Sequence, residues 1–109
     1  NTGTSVGDVF GRNGGNAAWG TATSANGGGG GGAGGVGGNS SNSGTGGGAV
    51  GAGKTNNYTD GSTNSTYSQG GRGGDYSTGG YANASDNTGS GGDAEFAGGS
   101  GIVIIRYAV

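Results

Sequence analysis

Large apolar residues are concentrated at the two ends of the chain and are sparse in its middle. The last nine residues, Gly101–Val109, place Ile102 and Ile104 on one face of an extended chain and other apolar groups on the opposite face. Apolar groups on both faces predict a strand buried on both sides. Either this strand sits inside the fold, or it joins subunits by strand addition, because an exposed strand of this kind is a template for aggregation. The residues assigned to assembly are Ile102, Val103, Ile104, Ile105, Tyr107 and Val109.

The middle of the chain, residues 27–53, is a glycine tract. After the uninterrupted run Gly27–Gly32, the side-chain-bearing residues Ala33, Val36 and Asn39 recur every third position, a period that fits neither helix nor strand. Polyproline II has three residues per turn and no internal hydrogen bonds, so its backbone groups are free to bond to neighbouring segments. This pattern predicts closely packed, polyproline-II-like segments, with a flexible linker as the alternative.

Short β-elements are predicted on both sides of the tract. Within residues 1–26, the Val, Phe, Trp and Thr content favours short strands, with a turn at Asn13-Gly14. Within residues 54–100, the pattern around Asp60-Gly61 indicates a β-hairpin with a type I′ turn, formed by residues 56–59 and 62–67. The predicted fold class is therefore all-β and irregular, a single domain of short strands and packed glycine segments without substantial helix, closed by the strand 101–109.

Composition argues against a conventional core. The chain has 35 glycines among 109 residues, six valines, three isoleucines, two phenylalanines and no leucine. So few large side chains make a self-sufficient core doubtful, and oligomerisation is a standard remedy. Four basic residues and a net charge of −2 give no electrostatic footprint for nucleic acid. No 18-residue apolar run exists, so no membrane span is expected. The first residue is Asn, which suggests a processed chain or a fragment, with signal cleavage as one explanation.

The segment Gly98–Tyr107 resembles the closing signature of a glycine-rich domain family found in phage tail and virion proteins and in large bacterial surface proteins. Residues 13–16, Trp19-Gly20 and Ala25-Asn26, followed by the glycine run, are similar to the family's middle motif. The Ser/Thr/Asn/Tyr-rich stretch 56–87 departs from the pattern, because later glycine runs stand there in the family. The resemblance implies an extracellular, cell-surface or virion role that is structural or adhesive.

Motifs for chemistry are few. Gly48–Thr55 matches the phosphate-binding pattern G-x-x-x-x-G-K-[ST], but neither a buried strand before it nor a helix after it is predicted, so we reject a nucleotide site. Asp86, Asp93 and Glu95 are candidate oxygen ligands for Ca²⁺, the alternative being solvated loop acids or pairing of Asp93 and Glu95 with Arg72 or Arg106. Without His or Cys, and with little bulk to shape a cleft, the chain is not expected to be an enzyme and no cofactor is expected.

Aromatic residues among abundant Asn, Ser and Gly are typical of binding loops. The candidates are Trp19, Tyr58, Tyr67, Tyr76 and Tyr81, which alternatively cap glycine layers and fill subunit interfaces. Two functions follow. The first is an extracellular structural subunit that self-assembles into a fibre, tube or lattice through its packed glycine segments and its C-terminal strand, as a homo-oligomer or helical polymer. The second is a tail-fibre tip or surface adhesin that binds a host glycan or protein.

Overall fold

The computed structural model describes residues 11–20, 25–42, 46–75, 81–105 and 107. It contains four short strands, β1 (Ala18–Trp19), β2 (Ala25–Asn26), β3 (Lys54–Asn56) and β4 (Ser65–Tyr67). Strand β1 pairs antiparallel with β2, and β3 pairs antiparallel with β4, which gives two separate two-stranded sheets. No helix occurs in these ranges. The predicted all-β, irregular fold class is confirmed.

Most of the remaining described residues form extended segments that are joined laterally by backbone hydrogen bonds. We number seven of them in chain order. Segments 1 to 4 are residues 11–16, 27–33, 34–40 and 46–53, and segments 5 to 7 are residues 68–74, 81–84 and 90–94. Segment 4 runs parallel to segment 2, and segment 5 runs antiparallel to both. Segments 5 and 7, and also segments 1 and 3, are parallel pairs.

The hydrogen bonds between segments repeat every third residue. On segment 2, the amides of Gly27, Gly30 and Ala33 donate to the carbonyl oxygens of residues 74, 71 and 68 on segment 5, at 2.8 to 2.9 Å. Gly48 and Gly51 of segment 4 donate to Gly27 and Gly30, both at 2.9 Å. This is the period expected of polyproline II packing, in which each face of a segment serves a different neighbour. The glycine tract therefore packs with the predicted period, but the bonding partners among the described residues lie in the same chain, whereas the sequence suggested partners on neighbouring copies.

Glycine backbone takes the place of a side-chain core. No apolar side chain is buried in the described part of the chain, and Asn26, at 2% exposure, is its only buried polar residue. The other buried residues are all glycines: Gly29, Gly32, Gly37, Gly48, Gly51, Gly70 and Gly73. A Cβ atom built on any of these seven would lie within 3.0 Å of another segment's backbone. Glycine is thus required here for close approach rather than for positive φ, which none of the seven adopts.

The β3–β4 hairpin forms, but the predicted type I′ turn is wrong. The observed register pairs Asn56 with Ser65, which leaves an eight-residue connection, 57–64. Gly61 has a φ of 82°, whereas Asp60 is absent from the residues with positive φ that a type I′ turn needs at both central positions. Instead, the Asp60 carboxylate accepts the amides of Ser62 and Thr63 at 2.8 and 2.7 Å, which widens the loop.

Two further sequence predictions fail. Asn13-Gly14 makes no turn; both residues lie in segment 1, and the Asn13 carbonyl accepts the amide of Gly37 at 3.0 Å. The tail is not buried within the chain: residues 101–105 form no strand, and Val103 is 86% exposed. Among the described residues, no other segment forms backbone hydrogen bonds with residues 101–105. The other option for the tail, a joint between copies, remains a prediction.

Candidate functional site

The C-terminal tail is the main exposed apolar surface among the described residues. Its backbone leaves the fold where the amide of Gly99 donates to Ser90 and the amide of Gly89 donates to Ser100, at 2.9 and 2.8 Å. Beyond this anchor the side chains alternate in environment. Ile102 and the half-buried Ile104 line a small cavity of about 310 Å³ against the β3–β4 hairpin. The predicted alternation of faces is therefore present although the strand is not.

The outer face of the tail consists of Val103, Ile105 and Tyr107. These side chains are 86%, 79% and 80% exposed. Residues 102–105 form no backbone hydrogen bond to any other part of the chain that the structure describes. The tail thus presents both an apolar face and a free main-chain edge. Val109, the remaining assembly candidate, lies outside the described residues.

The aromatic candidates divide into exposed and structural residues. Trp19 and Tyr58 are 83% and 57% exposed, so both are accessible to a partner. Tyr81 is half-buried; its hydroxyl accepts the amide of Asp75 at 2.8 Å, and the Arg72 guanidinium lies 5.4 Å from its ring centroid. Tyr67 is also half-buried, with its hydroxyl 3.0 Å from Thr59 Oγ1. Tyr76 lies outside the described residues.

The candidate Ca²⁺ ligands are not brought together. Among the described residues, no three acidic side chains converge on a common point. Asp93 is occupied within the fold, because its two carboxylate oxygens accept the amides of Arg72 and Ala82 at 2.8 and 3.1 Å. Asp93 therefore bonds to the Arg72 backbone; the guanidinium of Arg72 pairs with Asp75 at 3.6 Å. Asp86 and Glu95 lie exposed.

The segment that matches the phosphate-binding pattern has a different structure from a phosphate-binding loop. Its glycines belong to segment 4, and the amides of Gly48 and Gly51 are already bonded to segment 2. Lys54 and Thr55 lie in strand β3, where a phosphate-binding loop would begin its helix. The predicted absence of a helix directly after the motif is confirmed in the described residues.

One feature was not predicted from the sequence: a groove of about 720 Å³ bordered by segments 2, 5 and 7, with Gly11 and Arg12 among its lining residues. Segment 5 lies in the region predicted to form hairpins and loops. Its sequence, Ser68–Gly74, nevertheless has glycine on two of every three positions, with Gln69 and Arg72 on the third. The three-residue period that was recognised in the glycine tract would have identified segment 5 as well.

Comparison with known proteins adds no relative. No protein-family model matches the chain, and no curated protein or solved structure matches it either. Within the described residues, no helix is long and apolar enough to span a membrane.

Proposed function

We propose that this protein is an extracellular structural subunit that self-assembles through its C-terminal tail into a fibre, tube or lattice. The observation that carries the proposal is the outer face of the tail, where Val103, Ile105 and Tyr107 are each about four-fifths exposed beside an unpaired main chain. Burying such a face recovers roughly 25 cal/mol per Å² of apolar surface. Strand addition between copies would satisfy the free backbone groups as well.

Exposed apolar side chains elsewhere on the surface also support association between copies. Among the described residues no apolar side chain is buried, and nine large ones are exposed. Because the glycine segments bond to one another inside one chain, they form the rigid body of the subunit. The tail, in which Ile102 and Ile104 line a cavity against the β3–β4 hairpin, supplies the joint.

The test compares assembly of the native chain with that of the Val103→Lys/Ile105→Lys double variant. The expected result is species larger than a monomer at micromolar concentration, seen by sedimentation velocity and negative-stain microscopy, which the double variant loses. Val36→Lys is the matched control, because Val36 is also apolar and 66% exposed but lies on segment 3. A native chain that stays monomeric, or a double variant that assembles normally, contradicts the proposal.

A second function, an adhesin that binds a surface glycan or protein, is supported by Trp19 and Tyr58. An exposed Trp ring offers a flat apolar face with a polar edge, which suits stacking against sugar rings. Binding of the chain to cells or to a glycan array, lost in Trp19→Ala and kept in the tail double variant, would favour this function over self-assembly.

A further inference from the structure

The groove bordered by segments 2, 5 and 7 contains two rows of backbone amides that donate to no other described residue. On segment 2 these are Gly28 and Gly31, and on segment 5 they are Gly71 and Gly74. All four line the groove, all are half-buried, and none donates to another described residue. Each backbone amide is an obligatory hydrogen-bond donor, so these rows offer a ligand regularly spaced donors.

The other faces of these two segments are fully used. On segment 2, Gly27 and Gly30 donate to segment 5, and Gly29 donates to segment 3 at 2.9 Å. On segment 5, Gly70 and Gly73 donate to segment 4, both at 2.9 Å. The unpaired amides therefore belong to the one remaining face of each segment. Within a row they are three residues apart, about 9 Å at the 3.1 Å rise of polyproline II.

We propose that this groove binds an extended, glycine-rich segment of another polypeptide in the same threefold conformation. The carbonyl oxygens of such a segment also recur every third residue, so two of its faces match the two rows of donors. Segment 5 already shows the pairing inside the chain, since its carbonyl oxygens at residues 68, 71 and 74 accept three amides of segment 2. The groove is the position that a further segment of the same packing would fill.

The lining of the groove favours a peptide over a small anion. The donors form two lines rather than one converging cluster, and anion sites gather amides around a single point. The Arg72 guanidinium, which would strengthen an anion site, is engaged by Asp75 and the Tyr81 ring. Most lining residues are glycines, so a backbone without side chains can approach closely. The inference does not depend on assembly through the tail.

The experiment is a titration followed by two-dimensional amide NMR. The probe is a synthetic peptide with the sequence of residues 25–38 and terminal lysines for solubility, and the control peptide carries alanine at every second glycine. Saturable shifts of the Gly28, Gly31, Gly71 and Gly74 amides are expected with the first peptide. The control peptide is expected to bind about tenfold more weakly or not at all, because its methyl groups prevent the close approach.

Variants of the protein locate the site. Gly30→Ala places a methyl group in the groove, 3.3 Å from the Gly71 amide nitrogen, and is expected to lower the affinity for the peptide about tenfold. Gly35→Ala is the matched control. A Cβ at residue 35 also meets its nearest atoms at 3.3 Å, but residue 35 does not line the groove. If Gly30→Ala does not fold, the exposed groove residue Gly91 replaces it as Gly91→Ala.

Three results would overturn the proposal. The first is the absence of saturable shifts at millimolar peptide. The second is equal binding by the groove variant and the Gly35→Ala control. The third is movement of the same amides by sulfate alone, with no effect of the peptide, which would identify an anion site.

Discussion

Replacing Gly29 with alanine tests whether the interior depends on the missing Cβ atom. Gly29 is buried between segments 3 and 4, and its amide donates to Gly38 at 2.9 Å. A Cβ at this position would lie within 3.0 Å of the carbonyl oxygens of both Gly48 and Ala49. Because these are main-chain atoms, no side-chain rotation relieves the clash. Segment 4 has to move away from segment 2.

The cost follows from the bonds that this movement breaks. Gly48 and Gly51 hold segment 4 to segment 2 through two hydrogen bonds of 2.9 Å. Each contributes about 1 kcal/mol net, and overpacking of a rigid site adds about 1–3 kcal/mol. Gly29→Ala is therefore expected to lose about 3–5 kcal/mol, a large part of the 5–15 kcal/mol typical of a whole domain.

Gly35→Ala provides the matched comparison. Its Cβ would meet nothing closer than 3.3 Å, from Ala52, and Gly35 does not have a positive φ. Alanine lowers the conformational entropy of the unfolded chain, which favours folding by about 0.4–1 kcal/mol and offsets the slight crowding. Urea unfolding followed by far-UV circular dichroism measures both variants; Trp19, 83% exposed, is a poor fluorescence probe. A difference between the variants of less than about 1 kcal/mol would refute the role assigned to glycine.

Two carboxylates give further predictions. Hydrogen bonds from Thr63 and Ser62 lower the pKa of Asp60 from 3.8 to about 2. Because the folded-state pKa is depressed, the contribution of Asp60 to the free energy of unfolding is present above pH 3.8 and is lost as the pH falls towards 2. NMR titration of the Asp60 carboxyl group measures its pKa, and a midpoint near 3.8 would contradict the prediction. Asp93→Ala removes the acceptor for two amides and should cost about 2–4 kcal/mol, with Asp86→Ala, an exposed acid, as the near-neutral control in urea unfolding.

The threefold period was readable because side chains mark one face of each segment. Val36 and Asn39, three residues apart, are both exposed in the structure, so the two glycine faces point inward. Gly70 and Gly73 repeat the same spacing and are both buried. Side chains that recur at every third position therefore predict both that an extended segment exists and which of its faces points outward.

The arrangement of the segments could not be predicted from the same pattern. Glycine has no side chain with which to distinguish one neighbour from another, so the lateral order depends on a few polar residues. Ser40 is one: its hydroxyl accepts the amide of Ala18 at 2.5 Å and donates to the carbonyl of Asn26 at 2.9 Å. The hairpin loop was mispredicted for a related reason, since the Asp60 carboxylate bonds to the backbone in competition with a tight turn.

The structure separates stability from surface chemistry. In an ordinary small domain the large apolar residues are needed inside, and their number limits what the surface can display. Here hydrogen-bonded glycine backbone fills the interior, so Trp19, Val103 and Tyr107 are all on the surface. A substitution at Val103 should therefore change association without changing the stability of the subunit, whereas one at Gly29 should do the reverse. The apolar tail can then be read as a surface kept for contact with other molecules rather than as a failed core.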